Sequence, residues 1–265
     1  MKIEFYKYHG TGNDFIIIDN RNLQWKPDHQ QVAYLCNRHF GIGSDGLMLL
    51  TTCEGFDFGM IYFNSDGNES TLCGNGGRCL TAHARLLGMI DKKAHFNAAD
   101  GEHEAFILNE SDRITHVKLK MKDVTVEEPV GGNFFIDTGS PHYVIFSNNV
   151  KRMDIVKRAR KIRYDTCFAE EGTNVDFVEI NDDHLFVRSY ERGVEDETLS
   201  CGTGITASAL AAAVKNPGNT GFFKVKTRGG ELKVSFKQER NIFSDIWLEG
   251  PAELVFRGVI EIGEW

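Results

Sequence analysis

Cys73-Gly74-Asn75-Gly76-Gly77-Arg78 and Cys201-Gly202-Thr203-Gly204-Ile205-Thr206 are the two stretches from which the rest of this chain can be read. Each sets a thiol at the head of a Gly-rich turn that opens a helix of small residues. The first helix is expected from about Asn75 to Leu87, stopped by Gly88; the second from about Gly204 to Val214, ending at Asn216-Pro217-Gly218. One Cys-Gly-X-Gly is by default a tight turn with an inert sulfur. Two copies in opposite halves point instead to a pair of thiols facing one site from two sides. That arrangement takes a proton from one face of a carbon and returns one to the other.

Outward from these turns the chain reads as short strands and few helices. Lys2 to Asp19 makes two strands around Gly10-Thr11-Gly12-Asn13, and Asp28 to His39 has helical spacing closed by Gly41. Strands follow at Leu47–Leu50 and Phe58–Phe63, and alternation continues from Asp100 to Val126. Beyond Glu127-Glu128-Pro129-Val130-Gly131-Gly132 the grammar restarts: Phe134–Asp137, Tyr143–Phe146, a basic helix Met153–Ile162, then Val175–Ile180 and Leu185–Tyr190. Three paired strands (Phe222–Thr227, Glu231–Phe236, Ile242–Glu249) come last.

The halves also echo each other. Gly10-Thr11-Gly12-Asn13-Asp14-Phe15 resembles Gly172-Thr173-Asn174-Val175-Asp176-Phe177, and Ile61–Asn64 before Cys73 resembles Val187–Glu191 before Cys201. We therefore expect a duplicated pair with a pseudo-two-fold axis. Residues 1–127 would form a domain carrying Cys73, with the last residues of the chain available to complete it; residues 128–265 would form a domain carrying Cys201.

Composition narrows the function classes. A formal net charge of −8 gives no electrostatic reason for a polyanionic partner, so nucleic-acid binding is not expected. No run reaches the roughly 20 apolar residues of a membrane span. Met1 to Gly10 carries Glu4 and alternating polar residues rather than an apolar signal core, so a cytoplasmic protein is expected. The six cysteines, in a chain read as cytosolic, make no disulfide framework. Cys36 and Cys79 fit buried hydrophobes, and Cys53 and Cys167 carry no motif. A redox pair lacks the C-x-x-C spacing, and no compact Cys/His quartet points to zinc.

An amino-acid α-C–H is a very weak acid. Its removal without a cofactor puts the burden on electrostatics in a closed, dry pocket. No Schiff-base lysine stands in a phosphate-cradling context, so pyridoxal phosphate is not expected and no cofactor or metal is called for. A thiol of ordinary pKa ~8.5 is acidified at a helix N-terminus, where backbone N–H groups can also hold a carboxylate. By residue type alone, Asn64, Asn75 and Asn174 are turn formers, Glu191-Arg192 a surface pair and His142 a loop histidine.

The motifs, taken together, resemble the diaminopimelate epimerase family nearly end to end. They are His9–Phe15, Arg38–Gly46, Asn64-Ser65-Asp66-Gly67, Cys73–Cys79, Gly139-Ser140-Pro141-His142, Glu171–Phe177, Tyr190–Gly193 and Glu197–Gly204. The resemblance implies an α/β fold of α+β type. It has two pseudo-symmetric domains, each a mostly antiparallel barrel-like sheet around a central helix, with the active site in the cleft between them. It implies cofactor-independent interconversion of LL- and meso-diaminopimelate, serving lysine and peptidoglycan precursor synthesis, with Cys73 and Cys201 as base and acid. His142 and Glu191 would support catalysis. Asn13, Asn64, Asn174, Glu191 and Arg192 would bind substrate, and Gly74, Asn75, Gly202 and Thr203 would cradle the reacting carboxylate. A homodimer is implied as well.

Three departures from the family pattern stand out. Ser140 replaces an amide, with shorter reach as a ligand. Gly46 stands where some members carry glutamine. The loop Gly193-Val194-Glu195-Asp196 is one residue longer and lacks a second glycine. Two other functions remain open: a related two-cysteine proline or hydroxyproline racemase, and a non-catalytic small-molecule binding protein of the same fold. A one-headed substrate would not need Asn64, Asn174 and Arg192, and binding alone would need neither thiol.

Overall fold

The computed structural model describes residues 1–168, 172–216, 218 and 221–263. Glu171 of the sequence motifs and Pro217 of the expected helix end lie outside the described residues. The chain forms two compact units, one from Met1–Leu119 with the chain from Gly250 onward, the other from Lys120–Glu249.

In the first unit, β1 (Lys2–Gly10) and β2 (Asn13–Asp19) form a hairpin through Thr11 and Gly12, both at positive φ. α1 (His29–Cys36) carries the chain across so that β3 (Gly46–Thr51) lies parallel to β2, a connection a tight turn cannot make. Its start is fixed by a capping box between Asp28 and Gln31. β4 (Phe58–Asn64) pairs antiparallel with β3, and β5 (Glu69–Ser70) with β4. The helix α2 (Gly74–Leu86) then leads to β6 (Lys93–Ala98), β7 (Gly101–Ser111) and β8 (Ile114–Lys120). β6 runs parallel to β4; the next two pairings are antiparallel.

The last strand, β17 (Ile242–Glu261), closes this ring, since its segment from Gly250 onward pairs with both β8 and β1. A closed ring has no free strand edge, and α2 packs against β1, β2, β3 and β7. α1 covers the other face, where Ile16, Ile18 and Leu47 meet Val32 and Leu35. Coverage on both faces is why Phe15-Ile16-Ile17-Ile18 is an unbroken apolar run rather than an alternating one.

The second unit begins with β9 (Val124–Thr125), which pairs with the start of β17. It then repeats the scheme strand for strand: β10 (Phe134–Asp137), β11 (Pro141–Phe146), α3 (Ile155–Arg163), β12 (Asn174–Ile180), β13 (Leu185–Glu191), β14 (Asp196–Thr198), α4 (Gly202–Lys215), β15 (Phe222–Lys226) and β16 (Glu231–Glu239). β11 is parallel to β12 and β13 to β15, and the remaining pairings in the series are antiparallel. α3 buries Ile155 and Ala159 and leaves Lys157, Arg158, Arg160 and Lys161 outside. α4 is buried from Gly204 through Ala213, and its run of Ala and Ser lets strands approach from every side.

The expected α/β fold, mostly antiparallel strands around a central helix in each unit, is therefore present, and the details below differ from the reading by sequence. The division between units falls at Leu119/Lys120, ahead of the Glu127–Gly132 stretch. The reason is that Met121 N–H bonds the Ile246 carbonyl and Val124 pairs with Phe243, which tie 120–126 to the second unit. The strand expected at Ile242–Glu249 continues to Glu261. Of the two echoes, the one preceding the cysteines matches β4 with β13. The other joins segments that are not equivalent, because Gly10–Phe15 enters β2 whereas Gly172–Phe177 enters β12, the counterpart of β3.

Candidate functional site

Each unit contributes a thiol at the N-cap of its central helix: Cys73 before α2 and Cys201 before α4, both with extended backbone. All six cysteines are free thiols. A helix start leaves its first N–H groups without intrahelical partners and carries partial positive charge, so each cysteine is set beside an anion-accepting surface.

Around Cys73 the structure gathers Asn13, Gly74 and Asn75. The thiol lies 3.6 Å from Asn13 Oδ1, toward which it can donate. Asn13 Nδ2 donates to Asp45 Oδ2 at 3.0 Å, which turns the amide oxygen to the sulfur. Asp45 is steadied by Arg38 at 2.7 Å, and Arg38 also holds Asp14, whose other oxygen takes Lys7 at 2.7 Å. Asn75 is buried and its Oδ1 accepts from Arg78 at 2.9 Å. Asn64 lies apart, exposed at the end of β4 and paired in the ladder with Gly46. No side chain fits at Gly46: a Cβ there would lie 2.6 Å from the Tyr62 ring and 2.7 Å from the Phe63 carbonyl.

Around Cys201 a buried chain of polar contacts runs across four elements. Cys201 Sγ lies 3.4 Å from Thr203 Oγ1, which is 2.9 Å from His142 Nε2; His142 Nδ1 is 2.7 Å from Asp176 Oδ2. The His142 and Asp176 side chains have no exposed surface, and Ser189 donates to the second oxygen of Asp176. Thr138 donates to the Thr203 carbonyl and so fixes the helix start from β10's end. Burial first, then the negative charges of Glu191 and Asp176, push the Cys201 thiol well above its ordinary range; the Thr203 hydroxyl acts the other way.

The Asn174 amide makes three bonds inside the unit and keeps one acceptor lone pair on Oδ1. Its Nδ2 donates to Ser140 Oγ at 2.8 Å and to the Pro141 carbonyl, and its Oδ1 accepts from Arg192 N–H at 2.8 Å. Ser140, in the place of an amide, thus faces Asn174. The lengthened loop closes through Glu195, which takes the left-handed backbone a glycine would favour. Its carboxylate holds Arg163, Tyr164 and Tyr190. Glu191 and Arg192, both half-buried, are thereby set at the loop's entrance.

Asp176, Ser189, Thr138 and Arg78 are parts of the site that reading by residue type passes over. Asp176 leaves a signal, a carboxylate among Val175, Phe177 and Val178 in a strand with no solvent face. Among the described residues no cluster of three or more His, Cys, Asp or Glu side chains is arranged to hold a metal.

Gly204 shows how tightly this is packed. A Cβ there would lie 2.5 Å from Asp176 Oδ1 and 3.1 Å from His142 Cε1. Gly204→Ala gains up to ~1 kcal/mol of helix propensity but must displace a pair locked on both sides, an overpacking cost of about 1–3 kcal/mol. The expected result is a lower melting temperature together with reduced turnover; a variant matching the parent in both would show that the pair yields freely.

The arrangement, a strand-wrapped helix used twice, is that of a known class of folds. A phenazine biosynthesis protein of the PhzF family from Bacillus anthracis superposes with a TM-score of 0.77 at 15% identity, covering 99% of this chain and 100% of that one. A probable proline racemase from Agrobacterium radiobacter K84 superposes with a TM-score of 0.72 at 15% identity, over 98% and 93% of the two chains. At such identities the likeness is one of fold alone. Sequence goes further: the family model described as diaminopimelate epimerase matches residues 5–126 and 134–255. The diaminopimelate epimerase of Flavobacterium psychrophilum is 49% identical over 97% of this chain and 100% of its own length. This chain belongs to the diaminopimelate epimerase family.

Proposed function

We propose that this chain interconverts LL- and meso-2,6-diaminopimelate with Cys73 and Cys201 as its two proton-transferring groups. The observation that carries the reading is the repeated helix start headed by a free thiol, once in each copy of the strand scheme; family membership supplies the substrate. One thiolate removes the α-hydrogen and the other thiol delivers a proton to the opposite face, so the carbon inverts and the charge moves between sulfurs. As the α-carbon loses its proton, negative charge builds on the α-carboxylate. The N–H groups of Gly74 and Asn75, and of Gly202 and Thr203, are suited to hold it there.

His142, fixed by Asp176, and Glu191 support proton transfer at the Cys201 end. Arg192 binds the distal carboxylate, which a planar guanidinium can grip at both oxygens. Asn13, Asn64 and Asn174 complete the substrate contacts, with Ser140 and Asn174 acting as a bonded pair. The working form is a cytoplasmic homodimer, and exposed Phe256 and Val259 on β17 offer apolar surface for a second copy. No described helix is long and apolar enough to cross a membrane.

The test is α-proton exchange in deuterated water, with reduced protein and no pyridoxal phosphate. Deuterium should enter LL-diaminopimelate with conversion to the meso isomer, and should not enter L-proline. Exchange on proline alone would move the chain to racemase chemistry. No exchange on either, with both thiols free, would favour a binding protein.

A further inference from the structure

The hairpin that leads to Cys201 is closed by a side chain rather than by its own turn. β13 and β14 pair from Ser189 with Thr198 out to Glu191 with Asp196, so residues 192–195 form the loop and Arg192 is its first residue. Glu195 is its last and lies at φ 58°, the left-handed region that is costly for a residue with a side chain and not for glycine. A strained backbone of this kind persists only where its surroundings over-determine it.

The Glu195 carboxylate supplies that hold. Oε1 accepts from Arg163 Nε at 3.2 Å and Nη2 at 3.1 Å, and from the Gly193 N–H at 3.1 Å. Oε2 accepts from the hydroxyls of Tyr164 at 2.9 Å and Tyr190 at 3.1 Å. The Glu195 N–H donates to the Glu191 carbonyl at 2.8 Å, and the Glu195 carbonyl accepts from Arg160 Nη2 at 3.3 Å. Arg160, Arg163 and Tyr164 belong to α3 and its C-cap, and α3 is seated in the core of the unit through Ile155 and Ala159. One residue thus fastens the loop to a fixed helix. Burial works to raise the Glu195 carboxyl, but the Gly193 N–H, the two tyrosine hydroxyls and Arg163 together hold it below the usual carboxylate range.

The matching hairpin of the first unit shows that the strand scheme itself does not require such a clamp. Leu47 pairs with Phe63 as Val175 pairs with Tyr190, so Phe63 in β4 holds the place of Tyr190 in β13 and offers no hydroxyl. The turn after β4 closes locally. Asn64 N–H donates to the Asn68 carbonyl, and Asp66 accepts from Asn68 N–H and Nδ2, each at 2.9 Å.

What lies between the fastened points is Arg192. The Glu191 carbonyl is held by the Glu195 N–H, the Arg192 N–H donates to Asn174 Oδ1 at 2.8 Å, and the Gly193 N–H is held by Glu195 Oε1. Both peptide groups flanking the Arg192 Cα are therefore fixed. We propose that Glu195 is a positioning residue for substrate binding: its clamp onto α3 holds the Arg192 backbone in one place, so that the guanidinium is presented ready for the distal carboxylate. This rests on the reading of Arg192 given above. Glu195 touches no reacting atom, so its effect falls on binding rather than on proton transfer. A loop ordered in advance spares the cost of ordering it when substrate arrives.

Glu195→Gly is the informative variant, because glycine keeps the left-handed backbone without strain and loses only the clamp. Full-length protein is treated with trypsin, and peptide mass spectrometry follows the cut after Arg192, with the cut after exposed Arg113 in the other unit as reference. Cleavage tracks how often a segment opens, so Glu195→Gly should be cut after Arg192 about tenfold faster than the parent, with the cut after Arg113 unchanged. Its KM for LL-diaminopimelate should rise about tenfold, with kcat close to that of the parent. Glu195→Gln keeps one acceptor and should fall between the two. Tyr164→Phe, at an exposed position, should move cleavage and KM in the same direction by about threefold. Parent-like cleavage and KM in Glu195→Gly would overturn the proposal, and so would faster cleavage with an unmoved KM, or a loss confined to kcat. Should Glu195→Gly not fold, Tyr164→Phe decides by the same two readings. A parent protein that epimerises nothing would instead sink the reading of Arg192, and this proposal with it.

Discussion

Cys73→Ser and Cys201→Ser each lose about 10³-fold or more in turnover, in both directions of the reaction. A hydroxyl is somewhat smaller than the thiol and hydrogen-bonds more strongly, but it is a far weaker acid, so it neither forms the anion nor delivers a proton at neutral pH. Positioned general acid–base groups contribute about 10²–10⁴-fold each, and inversion needs both. The serine variants should fold, because each hydroxyl finds a polar neighbour: half-buried Cys73 lies beside the Asn13 amide, and buried Cys201 beside the Thr203 hydroxyl. The measurement is the rate of appearance of the meso isomer, with circular dichroism to confirm the fold. Epimerisation at the parent rate by either variant would sink the two-thiol mechanism.

Asp176→Ala should be the most destabilising single change at the site. The carboxylate is fully buried and joins His142 Nδ1 to Ser189 Oγ. Its removal leaves a ring N–H and a hydroxyl without partners, and breaking a buried pair from one side costs about 3–5 kcal/mol. For a domain of this size that lowers the melting temperature by roughly 10 °C. Asp176→Asn keeps the shape and one acceptor, so it should lose less stability while still weakening turnover, because His142 loses the anion that orients it toward Thr203. A calorimetric scan of both variants checks this; an Asp176→Ala protein as stable as the parent would mean that the pair contributes nothing to folding.

Local patterns carried most of the fold. The apolar run at Phe15–Ile18, the helical spacing that begins at Asp28 and the two Gly-rich helix starts each imply their element from a few neighbouring residues. What local pattern could not carry was pairing across distance. β6 goes unread because Lys93–Ala98 becomes a strand only between β4 and β7, and the length of β17 depends on partners at both ends of the chain. The misassigned echo has the same origin: Gly-Thr-Asn before an apolar run marks a strand entry, and two different strands enter that way.

The site divides along the same line. The cysteines and their glycines are legible because turn chemistry is local. Asp176 is legible only as an anomaly, since its partner His142 sits on another strand and the two meet through parallel pairing. Arg78 looks in sequence like a solvated helix residue, and only the enclosing ring of strands makes it a buried cation.

The way the units are cut from the chain has a consequence for synthesis. Lys120–Glu249 is contiguous, whereas the ring holding Cys73 requires β1 from one end of the chain and the segment from Gly250 onward from the other. On a ribosome, which delivers residues in order, the first ring must wait with an open seam between β1 and β8 while the entire second unit is being made. The half that is translated later is the first that can be finished.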